Sequence, residues 1–177
     1  MSIEHASHAE VERLIIGVPE QLQAYPQFVV WSPIERNGRI TKPPINPLTG
    51  QFADSTNPET WTSFNQALRA FSTGRYAGLG FVFSPDDPFT GVDLDHVVTD
   101  GEISSDALQI VRSIDSYAEI SPSGTGLHII AEATLPDGGR RKNGIEMYDR
   151  GRFFTLTAQR LKTAPEVVTA RYNEVLS

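Results

Sequence analysis

Apolar residues in this chain come in short runs separated by Gly, Pro, Asn and Asp, a pattern typical of strands and turns. FVVWSPIERNGRITKPPI predicts two strands joined by Asn37-Gly38, because this pair favours the tight turn of a hairpin. GLGFVFS and GVDLDHV predict a second hairpin across the turn PDDPFTG. SYAEIS and LHIIAEA are two more strands joined by PSGTG, and GIEMYD and RFFTLT predict a last hairpin around Arg150-Gly151.

Four segments are predicted to be helices from their caps and from apolar residues at helical spacing. Asn and Ser are good caps, and proline suits the first helical position. The first is a short helix from Pro19 toward Tyr25, and the last is a C-terminal helix that begins at Thr163-Ala164-Pro165. The second is capped by Asn57, begins at Pro58 and ends at Gly74, with apolar residues Trp61, Phe64, Leu68 and Phe71. The third is capped by Ser104 or Ser105 and carries Leu108, Val111 and Ile114.

Hairpins and helices alternate without a strict βα order, which predicts an α+β fold with a largely antiparallel sheet. The 177 residues suffice for one compact domain. The chain has no cysteine and no apolar run of about 18 residues, and its N-terminus lacks the pattern of a secretory signal. We therefore expect a cytoplasmic protein that does not enter a membrane.

The net charge of −7 argues against a broad nucleic-acid-binding surface, since phosphate affinity comes largely from Lys and Arg. The location of the charges matters more than their sum. Acidic residues cluster at Asp86, Asp87, Asp93 and Asp95, and basic residues cluster between 140 and 152. Such a pair of clusters suits a metal and phosphate site, although both could equally be solvated loops.

Asp93 and Asp95 lie two positions apart in the strand predicted from GVDLDHV, so we expect both side chains on one face. Like charges at this separation resist joint ionisation unless a cation neutralises them. Ligands that are all oxygen select Mg²⁺, Mn²⁺ or Ca²⁺. The alternative is an exposed strand end with both carboxylates in water.

The loop in SPSGTGLHI is rich in small residues, including Ser123, Gly124 and Gly126. Such residues permit a tight turn with exposed backbone N–H groups, which can hold an anion. His128 follows on a strand expected to neighbour GVDLDHV, and is either functional or a core histidine.

GIEMYDRGRFFTLT places Glu146 between Ile145 and Met147, where a carboxylate does not suit a core strand. Arg150 and Arg152 flank a turn glycine, and arginine matches phosphate oxygens with two parallel donors. The alternative is a hairpin tip whose arginines only aid solubility.

In order and spacing, these three motifs resemble the archaeo-eukaryotic primase superfamily, and more closely its phage and plasmid primase-polymerase branch. The matching residues are the Asp93/Asp95 pair, SGTGLH ending in His128, and Ile145-Glu146. VVWSP, KPPINPLTG and TWTSFNQAL also look like this branch, so the resemblance covers roughly residues 25 to 160. Gly126 stands where many members have serine, and backbone N–H groups together with Ser123 are expected to replace that hydroxyl.

The resemblance implies an archaeo-eukaryotic primase fold, in which an antiparallel sheet like that of RNA-recognition domains carries the acids. Residues from about 78 to 160 would form this sheet, and residues 1 to about 77 a smaller covering α/β unit. The active site would lie in the cleft between them. Residues 161 to 177 would form a C-terminal helix, which in this branch often leads to a helical or helicase domain.

The implied activity is template-directed addition of dNTPs or NTPs to a 3′-hydroxyl, in replication of a phage, plasmid or other mobile element. Single-stranded DNA template, primer and a helicase would be its partners. Asp93, Asp95 and Glu146 would bind two Mg²⁺ or Mn²⁺ ions. The triphosphate would be held by His128, Arg152 and the 123–126 loop, with Lys42, Lys142 and Arg150 as further candidates for triphosphate or DNA contacts and Phe153 beside the sugar.

Three other functions use the same residues. The first is a non-catalytic module of a replication protein that binds nucleotide or single-stranded DNA. The second is a metal-dependent nuclease, which needs no site for a triphosphate and is therefore separated by dNTP binding. The third is a structural Ca²⁺ site, which predicts thermal stabilisation by Ca²⁺ and no polymer chemistry.

Overall fold

The computed structural model describes residues 6–137 and 140–176, which form four α-helices, a 3₁₀ turn and thirteen strands. The helices are α1 His8–Gly17, α2 Glu20–Gln23, α3 Phe64–Ser72 and α4 Ser105–Ile114, and the 3₁₀ turn is Pro58–Thr60. The strands are β1 Phe28–Trp31, β2 Ile34–Arg36, β3 Arg39–Thr41, β4 Pro44–Ile45, β5 Gly78–Phe83, β6 Phe89–Leu94, β7 Val98–Thr99, β8 Glu102–Ile103, β9 Tyr117–Ile120, β10 Leu127–Glu132, β11 Arg140–Lys142, β12 Ile145–Tyr148 and β13 Arg152–Leu156.

A four-stranded antiparallel sheet has the order β13-β5-β1-β4. Its inner strands β1 and β5 are buried at every position, so they carry no polar face. Helix α3 packs on this sheet through Phe64, Ala67 and Phe71, which lie on one face of the helix.

A five-stranded antiparallel sheet has the order β11-β12-β6-β10-β9. One face packs against α4 through apolar residues such as Val92, Leu94 and Ile129. Because side chains alternate along a strand, the residues between these face the other way. There Phe89, Tyr117 and Ile130 join the core of the four-stranded sheet. The two sheets therefore meet on that face.

The predicted hairpins β5–β6 and β12–β13 are wrong, because the chain passes from one sheet to the other at both turns. The physical reason is that β5, buried on both faces, lies between β1 and β13 rather than beside β6. The sheets also do not follow the predicted boundary near residue 77, since β5 and β13 pair with the sheet of β1.

The helix predicted from Asn57 is shorter than expected. Asn57 caps only the 3₁₀ turn, and Trp61 is extended, with its indole N–H donating to the Asp54 carbonyl at 2.8 Å. The helix starts at Phe64, after Ser63 and Gln66 form a capping box.

The predicted C-terminal helix is wrong for residues 161–176, which contain turns and no helix. Their backbone bonds to β10 instead: the N–H of Glu132 donates to the Thr169 carbonyl, and the N–H of Arg171 donates to the Glu132 carbonyl, both at 2.9 Å. Ser177 lies outside the described residues.

The α+β class with antiparallel sheets is confirmed, as are α2, α4, the Asn37-Gly38 hairpin and the β9–β10 pair. Helix α1, capped by Ser7 and Glu10, was not predicted. Among the described residues, no helix is both long enough and apolar enough to span a membrane.

Candidate active site

A row of polar side chains crosses all five strands of the larger sheet. Residues directly opposite one another in neighbouring strands point to the same face. Asp93 lies opposite Glu146 on one side and His128 on the other. Glu146 in turn lies opposite Arg141, and His128 lies opposite Glu119. The row thus reads Arg141, Glu146, Asp93, His128, Glu119, on the face where the sheets meet.

The charge of Asp93, at the centre of this row, is unfavourable. Burial raises its pKa to about 7, and the negative charges of Asp95 and Glu146 add to this shift, while Lys42 opposes it. Opposed carboxylates repel each other when both are ionised. A cation bound at this point would remove that repulsion.

Asp95 lies outside the strand, so the expectation of two acids in one strand is wrong. β6 ends at Leu94, and Asp95 is exposed in a turn, with its N–H donating to the Gly144 carbonyl at 3.1 Å. His96 follows in the left-handed region, with φ 55°. Asp95 nevertheless lies close enough to raise the pKa of Asp93.

His128 is buried and held in a fixed orientation. Its Nδ1 lies 3.1 Å from the Thr155 carbonyl, which can only accept, so Nδ1 carries the proton. Its ring stacks on Phe154 with 4.3 Å between centroids, and Nε2 lies 3.5 Å from Asp93 Oδ1. Burial lowers the pKa of His128 to about 4, so the imidazole is neutral near pH 7.

Glu119 is a residue that sequence reasoning missed. It is fully buried and accepts hydrogen bonds from the Tyr117 hydroxyl at 2.8 Å and from the N–H groups of Thr157 at 2.9 Å and Ala158 at 2.8 Å. Its Oε1 lies 4.0 Å from His128 Nδ1, and burial raises its pKa to about 7. The signal was available, because SYAEIS places an acid in an apolar strand just as GIEMYD does.

A cavity of about 400 Å³ opens beside this row, between the two sheets. Arg152 lies over the Tyr148 ring at 5.4 Å, and Lys42 lies over the Trp31 ring at the same distance. Two cations and Asp93 therefore surround one space. The lining residues are Lys42, Pro44, Ser55, Asp93, His128, Tyr148, Arg152, Phe153, Phe154 and Thr155.

Five of the predicted site residues line this cavity. Three others lie in a turn that does not line it. The five are Lys42, Asp93, His128, Arg152 and Phe153. The turn with Ser123, Gly124 and Gly126 is absent from the lining residues, and three of its N–H groups bond within the turn. Gly124 donates to the Ser121 carbonyl at 2.9 Å, Thr125 to Ser123 Oγ at 3.3 Å and Gly126 to Ser121 Oγ at 3.2 Å. The role of this turn in binding an anion stays a prediction.

Lys142 and Arg150 also lie away from the cavity. Lys142 borders a separate groove of about 680 Å³ on the opposite face of the sheet, beside Val92 and Met147. This placement follows from alternation along the chain, because Glu146 takes the cavity face. Arg150 is exposed, and its Nε donates to Asp149 Oδ1 at 3.1 Å.

Asp93, Asp95 and Glu146, the three predicted metal ligands, have the right chemistry for a divalent cation, but their side chains are not arranged around a common point. No group of three or more His, Asp or Glu side chains in residues 6–137 and 140–176 is arranged to hold a metal ion. Glu146 Oε1 lies 2.8 Å from Arg141 Nε, so its charge is already partnered. Yet carboxylate oxygens are the ligands that Mg²⁺ and Mn²⁺ prefer, and the pKa of Asp93 is raised by burial and, to a smaller extent, by repulsion from Asp95 and Glu146 that a cation would relieve.

The fold and the cavity together define a pocket suited to an anionic ligand and a cation. No protein-family model matches the chain. Over 156 residues it is 36% identical to the DNA primase-polymerase of Nitratiruptor phage NrS-1, an alignment that covers 82% of this chain and 21% of the phage protein. The chain thus spans about a fifth of its relative's length. This match confirms the resemblance to the primase-polymerase branch that the motifs indicate.

Proposed function

We propose that this chain is the catalytic core of a template-directed DNA primase-polymerase, built on the archaeo-eukaryotic primase fold. The observation that carries the proposal is Asp93, which stands in register between Glu146 and His128 beside a cavity that Lys42 and Arg152 also line. The relationship to a phage DNA primase-polymerase supports it.

Asp93, Asp95 and Glu146 are proposed to hold divalent cations, Mg²⁺ or Mn²⁺. When bound, such ions neutralise charge on a triphosphate and favour ionisation of an attacking hydroxyl. Arg141 would have to leave Glu146. The Arg141 side chain is 79% exposed and can return to water, whereas Glu146 is only 17% exposed and would keep a partner because the cation takes the place of Arg141.

Lys42 and Arg152 are proposed to bind the triphosphate through charge-assisted hydrogen bonds. His128 presents Nε2 to the same space, and since Nδ1 carries the proton of the neutral ring, Nε2 donates to a phosphate oxygen only when the ring gains a second proton. Phe153, next to Arg152 in the cavity wall, is proposed to lie against the sugar and to disfavour a 2′-hydroxyl. The proposed substrates are dNTPs or NTPs with a primed single-stranded DNA template, in replication of a phage, plasmid or other mobile element, with a helicase as partner.

The test is primer extension with Mg²⁺ or Mn²⁺, comparing the wild type with Asp93→Ala/Asp95→Ala. We expect a loss of at least about a hundredfold, the usual effect of removing charge stabilisation from an active site. The control Asp86→Ala/Asp106→Ala removes two exposed acids outside the cavity and should extend normally. Undiminished extension by the first variant would refute the assignment. In the same assay Phe153→Ala should incorporate NTPs better relative to dNTPs; unchanged discrimination would end that assignment.

A non-catalytic module that binds nucleotide or single-stranded DNA is the second candidate. The observations that favour it are the Arg141–Glu146 ion pair and the lack of a ready metal cluster among the described residues. It predicts that the wild type binds dNTPs and yet extends no primer with either metal.

A further inference from the structure

The hairpin of β2 and β3 stands apart from both large sheets and carries an unfavourable pair of charges. Arg36 and Arg39 lie directly opposite each other beside the Asn37-Gly38 turn. Like charges in this position destabilise a hairpin. No ion pair found among the described residues includes either arginine. The pair would be relieved by an anionic ligand.

An exposed aromatic ring lies against this pair. Phe52 has 56% of its surface in solvent, and the guanidinium carbon of Arg36 lies 5.2 Å from its ring centroid. An aromatic ring and an arginine side by side form a platform on which unpaired bases stack.

The platform is continuous with the wall of the 400 Å³ cavity. β3 ends at Thr41, and the next residue, Lys42, already lines the cavity, as does Pro44. Phe52 forms a bridge with Ile45, and the N–H of the following Ala53 donates to the Pro44 carbonyl at 2.9 Å. A strand lying on the hairpin would therefore lead toward the cavity.

The sign of the charge also fits a nucleic acid. Residues 34–52 carry three basic side chains, Arg36, Arg39 and Lys42, and one acid, Glu35, in a chain whose net charge is −7. Local positive charge on an acidic protein directs a polyanion to that place.

We propose that the β2–β3 hairpin and Phe52 bind the single-stranded template next to the nucleotide cavity. The arginines contact phosphates, and Phe52 stacks on a base. An unpaired strand is the fitting occupant, because a duplex keeps its bases stacked on one another and offers none to Phe52. This inference rests on the proposed function, since it takes the cavity to be the nucleotide site.

The test is fluorescence anisotropy of a labelled single-stranded oligonucleotide at several salt concentrations. Arg36→Ala/Arg39→Ala should flatten the plot of log affinity against log salt by about 0.7 for each phosphate that the variant no longer neutralises. Phe52→Ala should weaken binding by at least about fivefold with little change in that slope, because stacking is not an ionic contact. A charge effect and a stacking effect are thus measured separately.

The matched control is Arg69→Ala/Arg112→Ala, which removes two exposed arginines from α3 and α4, away from the cavity. It should bind the oligonucleotide like the wild type, and all variants should show a cooperative thermal transition and the wild-type Tm shift with dNTP. The inference is overturned if the wild type does not bind the oligonucleotide at low salt, if the hairpin variants bind like the wild type, if the control is weakened as much, or if a blunt duplex binds equally well.

The experiments distinguish failure of the template-binding inference from failure of the proposed catalytic site. If Asp93→Ala/Asp95→Ala extends primers normally while the hairpin variants bind the oligonucleotide weakly, the catalytic assignment is wrong and the hairpin surface stands. If extension depends on the acids while the hairpin variants bind normally, the template lies elsewhere.

Discussion

Asp93 combines three conditions that each disfavour its charge: it is partly buried, it faces Glu146 across the strand pair, and Asp95 lies nearby. A side chain selected only for stability would not keep a carboxylate there. Under the proposed function, this charge binds a divalent cation that accompanies the triphosphate. The charge lowers the stability of the ligand-free protein, and this effect can be measured by unfolding it without ligand.

The first prediction concerns the pH dependence of stability. The pKa of Asp93 is about 7 in the folded protein and about 3.9 in an unfolded chain. Between those values the folded state binds more protons than the unfolded state, so the free energy of unfolding falls as pH rises. The stabilising contribution is complete below about pH 4 and lost above about pH 7.

Asp93→Asn cannot ionise, so it should lack this part of the pH dependence. At about pH 8 it should be more stable than the wild type by roughly 2 kcal/mol, a value reduced for the partial exposure of the side chain. Urea unfolding in EDTA at about pH 5 and about pH 8 measures this, with Asp106→Asn as an exposed control. Parallel pH profiles for Asp93→Asn and the wild type would contradict the prediction.

At the scale of the element, β13 is the strand that joins the sheet of β1 to the candidate site. It pairs with β5, yet Phe154 stacks on His128 and the Thr155 carbonyl accepts from its Nδ1. At its end, Glu119 receives the N–H groups of Thr157 and Ala158. The position of the imidazole therefore depends on β13.

Gly91 allows this approach, and the second prediction tests it. A Cβ at Gly91 would collide with the Phe154 ring and come within 2.7 Å of Phe83. Gly91→Ala should lower the free energy of unfolding by about 1–3 kcal/mol, the usual cost of overpacking. In a Phe154→Leu background the same substitution should cost less, since the smaller side chain leaves room. A double-mutant cycle in urea measures the coupling, and strict additivity would rule out the contact as its cause.

The parts of the fold that could be predicted are those determined by residues close together in the sequence. α4 and the Asn37-Gly38 hairpin follow from caps and turn residues, so the sequence predicts them. The partners of β5 do not follow, because a strand that is apolar on both faces carries no mark of which neighbour it takes. In the loop around Ser123, hydroxyl groups bond the N–H groups of Thr125 and Gly126, a local arrangement that its small residues alone did not predict.

For the site, the resemblance to the primase superfamily predicted that Asp93, Glu146 and His128 act together, and the strand of His128 was expected to neighbour GVDLDHV, as it does. Strand register, which puts Asp93 between the other two, comes only from tertiary pairing. Glu119 was missed although SYAEIS carries the same local signal as GIEMYD, whereas its partners Thr157 and Ala158 are distant in sequence and could not be predicted.

At the scale of the whole molecule, the cavity has walls from both sheets, so a ligand in it holds the sheets together. A ligand that binds only the folded state at a hundred times its Kd stabilises by about 2.7 kcal/mol. The third prediction is that dNTP with Mg²⁺ raises the Tm of the wild type and that Arg152→Ala loses most of this shift. Thermal denaturation with and without ligand measures it.

Arg150→Ala is the matched control, since it removes a neighbouring arginine that pairs with Asp149 outside the cavity. It should keep the full ligand-induced shift. Equal loss of the shift in both variants would mean that Arg150 and Arg152 act only through their combined positive charge.

The passage of the chain from β12 to β13 also bears on synthesis. During translation β5 emerges long before β13, so a nascent chain exposes one edge of a fully apolar strand until Leu156 has been made. Open apolar edges of this kind are sites of aggregation, and contacts distant in sequence form slowly. Once Tyr148 has emerged from the ribosome, β6, β10 and β12 can pair and align the carboxylates, but His128 lacks Phe154 and Thr155 to orient it until β13 has emerged as well.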